Sequence, residues 1–330
     1  MKFKITTLVL IMSLIMGIIF SQGIMADNLK VGLVTDTGGL NDKSFNHLAH
    51  KGLLKAEKDF PIEIGVVESG GISDFVPNLR NFAQQDYDMI IGVGFVMEDA
   101  IRKVANEYPG IKFLSIEAGI DDVDNVAAVM FNCEESAYLA GAMAGLMELR
   151  KDIPKLNEEN VVGAIGGMKI PPVEAYTAGF KAGVKKVNPE AKVIINYVGN
   201  FTDQSAAKQF AFTQVSQGAD IIFSATTGTG IYQAMQEKNG WAIGADTDQN
   251  YLAPDTILTS ALKKVDVATY NIIEDVVNNR FKSGITYFDL SNDGVGLVSP
   301  LDVVPEEIYD RVMELKEQII NKEIEVPTTN

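Results

Sequence analysis

The sequence predicts an α/β protein of two doubly wound lobes, each built on a mainly parallel sheet. Three observations carry this prediction: β-branched runs bounded by glycine recur, a segment with helical spacing follows each, and the whole series occurs twice. Continuous apolar strands that alternate with helices are typical of parallel sheets covered on both faces. The 330 residues are enough for two such domains.

The predicted strands form two sets of five. The first set starts near Lys30, Ile62, Met89, Ile111 and Asn125, and the second near Val161, Lys192, Asp220, Trp241 and Ile257. The spacing between successive starts shortens along the chain in both sets, which indicates two lobes of one plan.

Two of the intervening helices have distinct faces. The helix expected after Ser44 repeats apolar or small residues at a period of 3.6, at Ala49, Gly52, Leu53, Ala56 and Phe60. The helix expected at Cys133 carries the small residues Ala137, Ala140, Gly141, Ala144 and Gly145. So small a face lets a helix approach its neighbour closely.

The first 26 residues read as a secretory signal. Lys2 and Lys4 precede an uncharged, apolar stretch from Ile5 to Ala26. Cleavage is expected after Ala26 or Gly23, and an uncleaved membrane anchor is the alternative. Because no cysteine lies at this cleavage site, we expect an exported, periplasmic protein that is released rather than tethered by lipid.

Composition and charge exclude several classes of protein. Apolar residues make up 46% and charged residues 22%, as in ordinary globular proteins. Lys and Arg total 28 against 44 Asp and Glu, so the net charge of -16 argues against a nucleic-acid partner. The single cysteine, Cys133, can form no intrachain disulfide or cysteine-rich metal site.

Catalytic motifs are not evident, so we expect no enzyme, cofactor or metal. The sequence lacks a Gly-Lys P-loop, a dinucleotide fingerprint and a G-x-S-x-G elbow. His47 and His50 are read as partly exposed helix residues rather than metal ligands. Beside Glu134 and Glu135, a Cys133 thiolate is disfavoured.

Ligands of doubly wound sheets bind at the carboxyl ends of the strands. The candidate segments are Asp36–Phe45, Gly94–Met97, Glu117–Ala118, Asn132–Ser136, Gly166–Lys169, Asn200–Asp203, Thr226–Gly230 and Asp246–Gln249.

The segment VGLVTDTGGLNDKSFN, Val31 to Asn46, resembles the opening signature of the basic membrane protein family. These are ABC-transporter substrate-binding proteins that include purine nucleoside receptors. Further matches, such as ESAYLAGAMAG and WAIGADTDQ, extend the resemblance over essentially the whole mature chain. Two departures stand out: the lipid-modified cysteine is missing, and Glu117 replaces the family's common Asp.

The resemblance implies a type I periplasmic-binding-protein fold, with two lobes joined by a hinge that close over the ligand. It places residues 27–132 and 256–285 in the first lobe, and 133–255 and 286–330 in the second. It further implies a nucleoside ligand, delivered to the permease of an ABC importer, and we expect a monomer.

The resemblance also assigns roles to individual residues. Phe45 would stack on the base, Asn46 would hydrogen-bond it, and Asp36 would face it. Asp246 would accept from the ribose hydroxyls, and Lys263 would donate to the sugar.

Other assignments remain open. Phe201 is chosen as the second stacking aromatic, while Gly228 and Gly230 are either turn residues or ligand contacts. Asp248 and Lys264 are the alternatives to Asp246 and Lys263.

Two other functions compete with a nucleoside receptor. A sugar or another small polar metabolite could occupy the same cleft, and a secreted nucleoside hydrolase is the alternative from another class. A hydrolase would need an acidic metal cluster after the first strand, where the sequence offers only Asp36 and Asp42.

Overall fold

A computed structural model describes residues 28–330, so the predicted signal segment lies outside the described residues. The first sheet has the order β2-β1-β3-β4-β5-β11, and every neighbouring pair is parallel. Its strands are β1 (Leu29–Val34), β2 (Ile62–Val67), β3 (Met89–Val93), β4 (Lys112–Ile116), β5 (Val126–Phe131) and β11 (Gly284–Phe288).

The second sheet repeats this order as β7-β6-β8-β9-β10-β12. Its strands are β6 (Val161–Gly166), β7 (Lys192–Tyr197), β8 (Ile221–Ala225), β9 (Trp241–Asp246), β10 (Ile257–Lys263) and β12 (Val295–Leu297). Only β12 runs antiparallel to its neighbour among the described strands. The ten strands expected from the sequence are thus confirmed, together with the repeated plan.

Helices cover these sheets. They are α1 (Phe45–Asp59), α2 (Phe75–Gln84), α3 (Glu98–Glu107), α4 (Cys133–Met147), α5 (Pro171–Val187), α6 (Gln204–Ser216), α7 (Thr229–Glu237), α8 (Val265–Val277) and α9 (Glu306–Ile320). None of those in residues 28–330 has the length and apolar character of a membrane span.

The small face predicted for α4 packs directly on α5. A Cβ on Gly141 would lie 2.0 Å from the carbonyl oxygen of Phe180, and one on Gly183 would lie 2.0 Å from that of Tyr138. The two helices therefore approach until their backbones touch, and this contact contributes to the largest buried core cluster.

Strand β10 corrects the predicted lobe boundaries, which placed residues 256–285 in the first lobe. Residues Ile257–Lys263 pair with β9 in the second sheet. Helix α8, which follows, packs on α1 of the first lobe through the Lys51–Asp266 ion pair at 2.8 Å. The chain thus changes lobe directly after β10 rather than before it.

Hydrogen bonds tie together the three places where the chain changes lobe. The amide of Asn132 donates to the carbonyl of Phe288 over 2.9 Å, and the amide of Leu290 donates to Glu135 Oε2 over 2.8 Å. The amide of Lys264 donates to the carbonyl of Gly294 over 2.9 Å. These links join the crossing segments into one hinge.

The close helix contact yields a stability prediction. Gly141→Ala should lower the free energy of unfolding by about 2 kcal/mol or more, because the new Cβ overlaps backbone atoms of α5. Urea unfolding followed by circular dichroism measures this change. Gly110→Ala is the matched control, since its Cβ would meet no atom within 4 Å. Equal losses in both variants would contradict the proposed packing.

Candidate ligand-binding site

A cavity lies between the lobes. Its walls come from segments that follow the carboxyl ends of the strands in both sheets, as expected for this architecture. The polar and aromatic lining residues include Asp36, Asp42, Ser44, Phe45, Asn46, Phe95, Glu117, Tyr176, Phe201, Thr226, Thr227, Asp246 and Lys263.

Two aromatic side chains line this cavity from opposite lobes. Phe45 begins α1, and Phe201 lies in the loop between β7 and α6. Both are half-buried. A Cβ on Gly167 would lie 2.3 Å from the Phe201 ring, so glycine at that position makes room for the ring.

Asp36 follows β1 and keeps one carboxylate oxygen available. Its Oδ1 accepts hydrogen bonds from the Gly38 amide at 2.8 Å and from Asn46 Nδ2 at 2.7 Å. Oδ2 has no hydrogen-bond partner within residues 28–330. Burial raises the pKa of Asp36 to about 6, although the bonds from Gly38 and Asn46 oppose the rise.

Asn46 lies at the cavity, but its amide group is engaged within its own lobe. Oδ1 accepts from the Asp36 amide at 3.1 Å, and Nδ2 donates to Asp36 Oδ1 and, at 3.0 Å, to Asp42 Oδ2. Both amide hydrogens are thereby used. The geometry makes Asn46 a support for two carboxylates, which differs from the direct base contact expected from the sequence.

Asp246 ends β9 with a positive φ of 67°. Its Oδ2 accepts from the hydroxyl of Ser44 in the other lobe, and its Oδ1 accepts from the hydroxyl of Tyr176 at 3.0 Å. The alternative, Asp248, is exposed and accepts from the amide of Asn250. Asp246 is thus the carboxylate of this pair that lines the cavity.

Lys263 and Glu117 form a buried ion pair between the lobes. Lys263 Nζ lies 3.1 Å from Glu117 Oε1, and the side chains are 4% and 3% exposed. The contact lacks hydrogen-bond geometry, so Glu117 Oε1 has no directed donor among the described residues. Burial opposes the charge on Lys263, but Glu117 and other nearby acidic groups raise its pKa. Burial likewise raises the pKa of Glu117, and Lys263 partly offsets this.

Three aromatic rings surround the ammonium group of Lys263. Its Nζ lies 5.3 Å from the ring centre of Phe45, 5.7 Å from that of Phe131 and 5.0 Å from that of Tyr176. These are cation–π distances, which stabilise a desolvated cation. The aromatic walls of the cavity therefore also hold its positive charge.

Gly228 and Gly230, which the sequence left open as turn residues or ligand contacts, do not line the cavity. A Cβ on Gly228 would lie 2.2 Å from the Tyr232 ring, and one on Gly230 would lie 2.1 Å from the carbonyl oxygen of Gln204. Both glycines permit close packing at the start of α7. Their neighbours Thr226 and Thr227 line the cavity instead.

Sequence reasoning missed Tyr176 and the contact made by Ser44. Tyr176 is 4% exposed and sits in α5 among small and apolar residues, so it reads as an ordinary core residue. Its hydrogen bond to Asp246 forms because α5 packs beside the end of β9, and residue spacing along the sequence does not predict that contact.

His47, His50 and Cys133 do not line the cavity. His47 is exposed and His50 half-buried on α1, and burial lowers the pKa of His50. Cys133 begins α4, where burial raises the pKa of its thiol. Across residues 28–330, the structure gathers no group of three or more His, Cys, Asp or Glu suited to a metal ion.

Comparison with solved structures shows the class. A solute-binding protein of an ABC transporter system from Aeropyrum pernix superposes with a TM-score of 0.83 at 29% identity, over 92% of this chain and 94% of that one. Two parallel-sheet lobes around a cavity thus define a type I substrate-binding protein. This confirms the predicted fold class.

The family follows from sequence comparison. The chain belongs to the PnrA-like family of ABC transporter substrate-binding proteins, Bmp, whose model matches residues 29–330. This confirms the resemblance to the basic membrane proteins and the expectation of a binding protein rather than an enzyme.

Three relatives show the range of names in this family. A CD4+ T-cell-stimulating antigen of Listeria monocytogenes is 34% identical over 91% of this chain and 88% of its own. The ABC transporter nucleoside-binding protein BmpA of Lactococcus lactis is 32% identical over 93% of this chain and 92% of its own. A lipoprotein of Pyrococcus furiosus is 30% identical over 96% and 90%, respectively.

The raised pKa of Asp36 yields a pH prediction. The folded protein binds this proton more tightly than the unfolded chain, so the contribution to stability is present below the ordinary pKa of 3.8 and is lost as pH rises through about 6. Asp36→Asn removes that dependence. The difference in free energy of unfolding, variant minus parent protein, should therefore rise by on the order of 3 kcal/mol between about pH 4 and pH 7.

Urea unfolding at a series of pH values measures this difference. Asp86→Asn is the control, because Asp86 is exposed and its backbone φ of 57° suits asparagine. A difference for Asp36→Asn that stays constant with pH would contradict the role of burial.

Proposed function

We propose that this substrate-binding protein takes a nucleoside, with purine nucleosides favoured, into the interlobe cavity and delivers it to the permease of an ABC importer. The observation that carries the proposal is the pairing of Phe45 and Phe201, from opposite lobes, around a cavity that also holds Asp36, Asp246 and Lys263. The name of the Lactococcus lactis relative agrees with this ligand class.

The aromatic pair suits a nucleobase. An aromatic face contributes about 1–3 kcal/mol of stacking per base and tolerates every base. Phe45 and Phe201 therefore supply affinity, while identity requires polar groups on the base edge. Asp36 offers a free carboxylate oxygen for a base N–H, and Asn46 fixes its orientation.

The second set of polar groups suits a ribose. A carboxylate presents two acceptor oxygens, and Asp246 retains unused lone pairs after accepting from Ser44 and Tyr176. Lys263 has donors left beyond its single ion pair with Glu117. Neighbouring sugar hydroxyls can donate to Asp246 and accept from Lys263.

The charge of the cavity favours a neutral ligand. Of the charged lining residues, four are acidic, Asp36, Asp42, Glu117 and Asp246, and only Lys263 is basic. A phosphate group would meet an excess of negative charge in a poorly solvated space, at a cost of several kcal/mol for each like-charge contact. The proposed ligand is thus a nucleoside rather than a nucleotide.

We further propose that the protein is exported and released. The support is the basic, then apolar, segment at residues 1–26, which carries no cysteine for lipid attachment. We also propose that the chain crosses from one lobe to the other near residues 132, 264 and 289–294, as the sheet to which each strand belongs implies.

A ligand screen tests the proposal. Nucleosides should raise the melting temperature of the mature protein, because binding only the native state stabilises it, whereas free sugars should not. Differential scanning fluorimetry with inosine, guanosine, cytidine, ribose and glucose measures this. A shift with sugars alone would favour the sugar-binding alternative. Release of free base from inosine, followed by chromatography, would instead support a hydrolase.

A substitution tests the stacking role. Phe45→Ala should weaken nucleoside binding by about 1–3 kcal/mol, or roughly 5- to 150-fold in Kd, by removing one aromatic face. Isothermal titration calorimetry measures the change, and urea unfolding checks that the variant is folded. Tyr287→Ala is the control, since Tyr287 is exposed on β11, away from the cavity lining. Unchanged affinity in Phe45→Ala would reject stacking.

A further inference from the structure

Besides the Lys263–Glu117 ion pair, the two lobes touch at two consecutive residues just before α1, Lys43 and Ser44. The Ser44 hydroxyl donates to Asp246 Oδ2, and Gln249 Nε2 donates to the Lys43 carbonyl oxygen over 3.4 Å. Asp246 and Gln249 both belong to the end of β9 and the loop that follows it. Two consecutive residues of the first lobe thus form hydrogen bonds with two residues of one short segment in the second lobe.

The Ser44 hydroxyl is free to reach across because another residue caps the helix. Ser44 occupies the N-cap of α1, yet its side chain makes no capping bond. Asp42 accepts the first amides instead, from Ser44 at 2.9 Å, from Asn46 at 2.7 Å and from His47 at 3.1 Å. A serine at this position ordinarily caps its own helix.

Gln249 is held in a fixed orientation within the second lobe. It is 1% exposed, and its Oε1 accepts from the Tyr232 hydroxyl and from the Ala245 amide at 3.3 Å. Its own amide donates to Ser260 Oγ at 3.1 Å. With the carbonyl oxygen of the side chain occupied, only Nε2 is left to point at the other lobe.

We propose that Lys43, Ser44, Asp246 and Gln249 form a latch that stabilises the closed arrangement by direct protein contacts. A latch of this kind gives the closed form a measurable population before a ligand adds its own contacts, and it slows release once a ligand is held. The effect on release rests on the proposed nucleoside-binding function, whereas the effect on the free protein does not.

The experiment measures the distance between the lobes in ligand-free protein. Spin labels on Lys103→Cys in α3 and Gln209→Cys in α6 report it by pulsed electron resonance, since both positions are exposed and Cys133 is buried. Ser44→Ala should lower the ratio of closed to open molecules roughly tenfold, as expected for loss of a hydrogen bond to a charged acceptor. Ser73→Ala, at an exposed serine of the first lobe, should leave the ratio unchanged.

Stopped-flow measurements with inosine provide the kinetic arm. Dissociation from Ser44→Ala should be roughly tenfold faster, with association changed less than about twofold. An unchanged distance distribution in ligand-free Ser44→Ala, or a parent protein that is entirely open, overturns the latch. A shifted distribution in a protein that binds no nucleoside keeps the latch and rejects the proposed ligand instead.

Discussion

The buried ion pair between Lys263 and Glu117 is the contact between the lobes that constrains the rest of the site. Each charge comes from a different lobe, and each side chain is nearly inaccessible to water. Removing both from water costs several kcal/mol per ion, and attraction offsets this only when the geometry and the remaining hydrogen bonds are good. The protein meets this requirement on the side of Lys263, whose ammonium group lies among aromatic rings. It does not meet it fully on the side of Glu117, whose Oε1 accepts no hydrogen bond among the described residues.

The repeated plan of the chain explains why carboxylates face this point from both lobes. Glu117 follows β4 and Asp246 ends β9, the fourth strand of each set, and both have a φ of 67°. A non-glycine residue in this region costs of order 1–3 kcal/mol and persists only when its surroundings enforce it. The same strained turn, repeated in each lobe, projects an acidic side chain toward the cleft.

Most of the fold was predictable because its signals are local. Ten strands lie in continuous apolar runs, and the small face of α4 is readable from Gly141 and its helical neighbours. Strands β11 and β12 were not predicted, since GITYF is short and half-exposed and VGL has only three residues. The lobe assignment of β10 also failed, because an apolar run predicts a strand but does not say which sheet it joins.

The sequence predicted which residues line the cavity but not the hydrogen bonds that form where the two lobes meet. Asp246 and Lys263 end their strands, Phe45 and Phe201 lie in segments that follow strands, and all four line the cavity. The role of Asn46 depends on which carboxylates accept hydrogen bonds from its side-chain amide, and this is a property of the folded loop. One hydrogen-bonded path runs from Asp36 through Asn46 and Asp42 to Ser44, and from there across to Asp246. Because Asp42 accepts hydrogen bonds from both Asn46 and Ser44, the proposed ligand recognition and the proposed latch depend on the same segment of the first lobe.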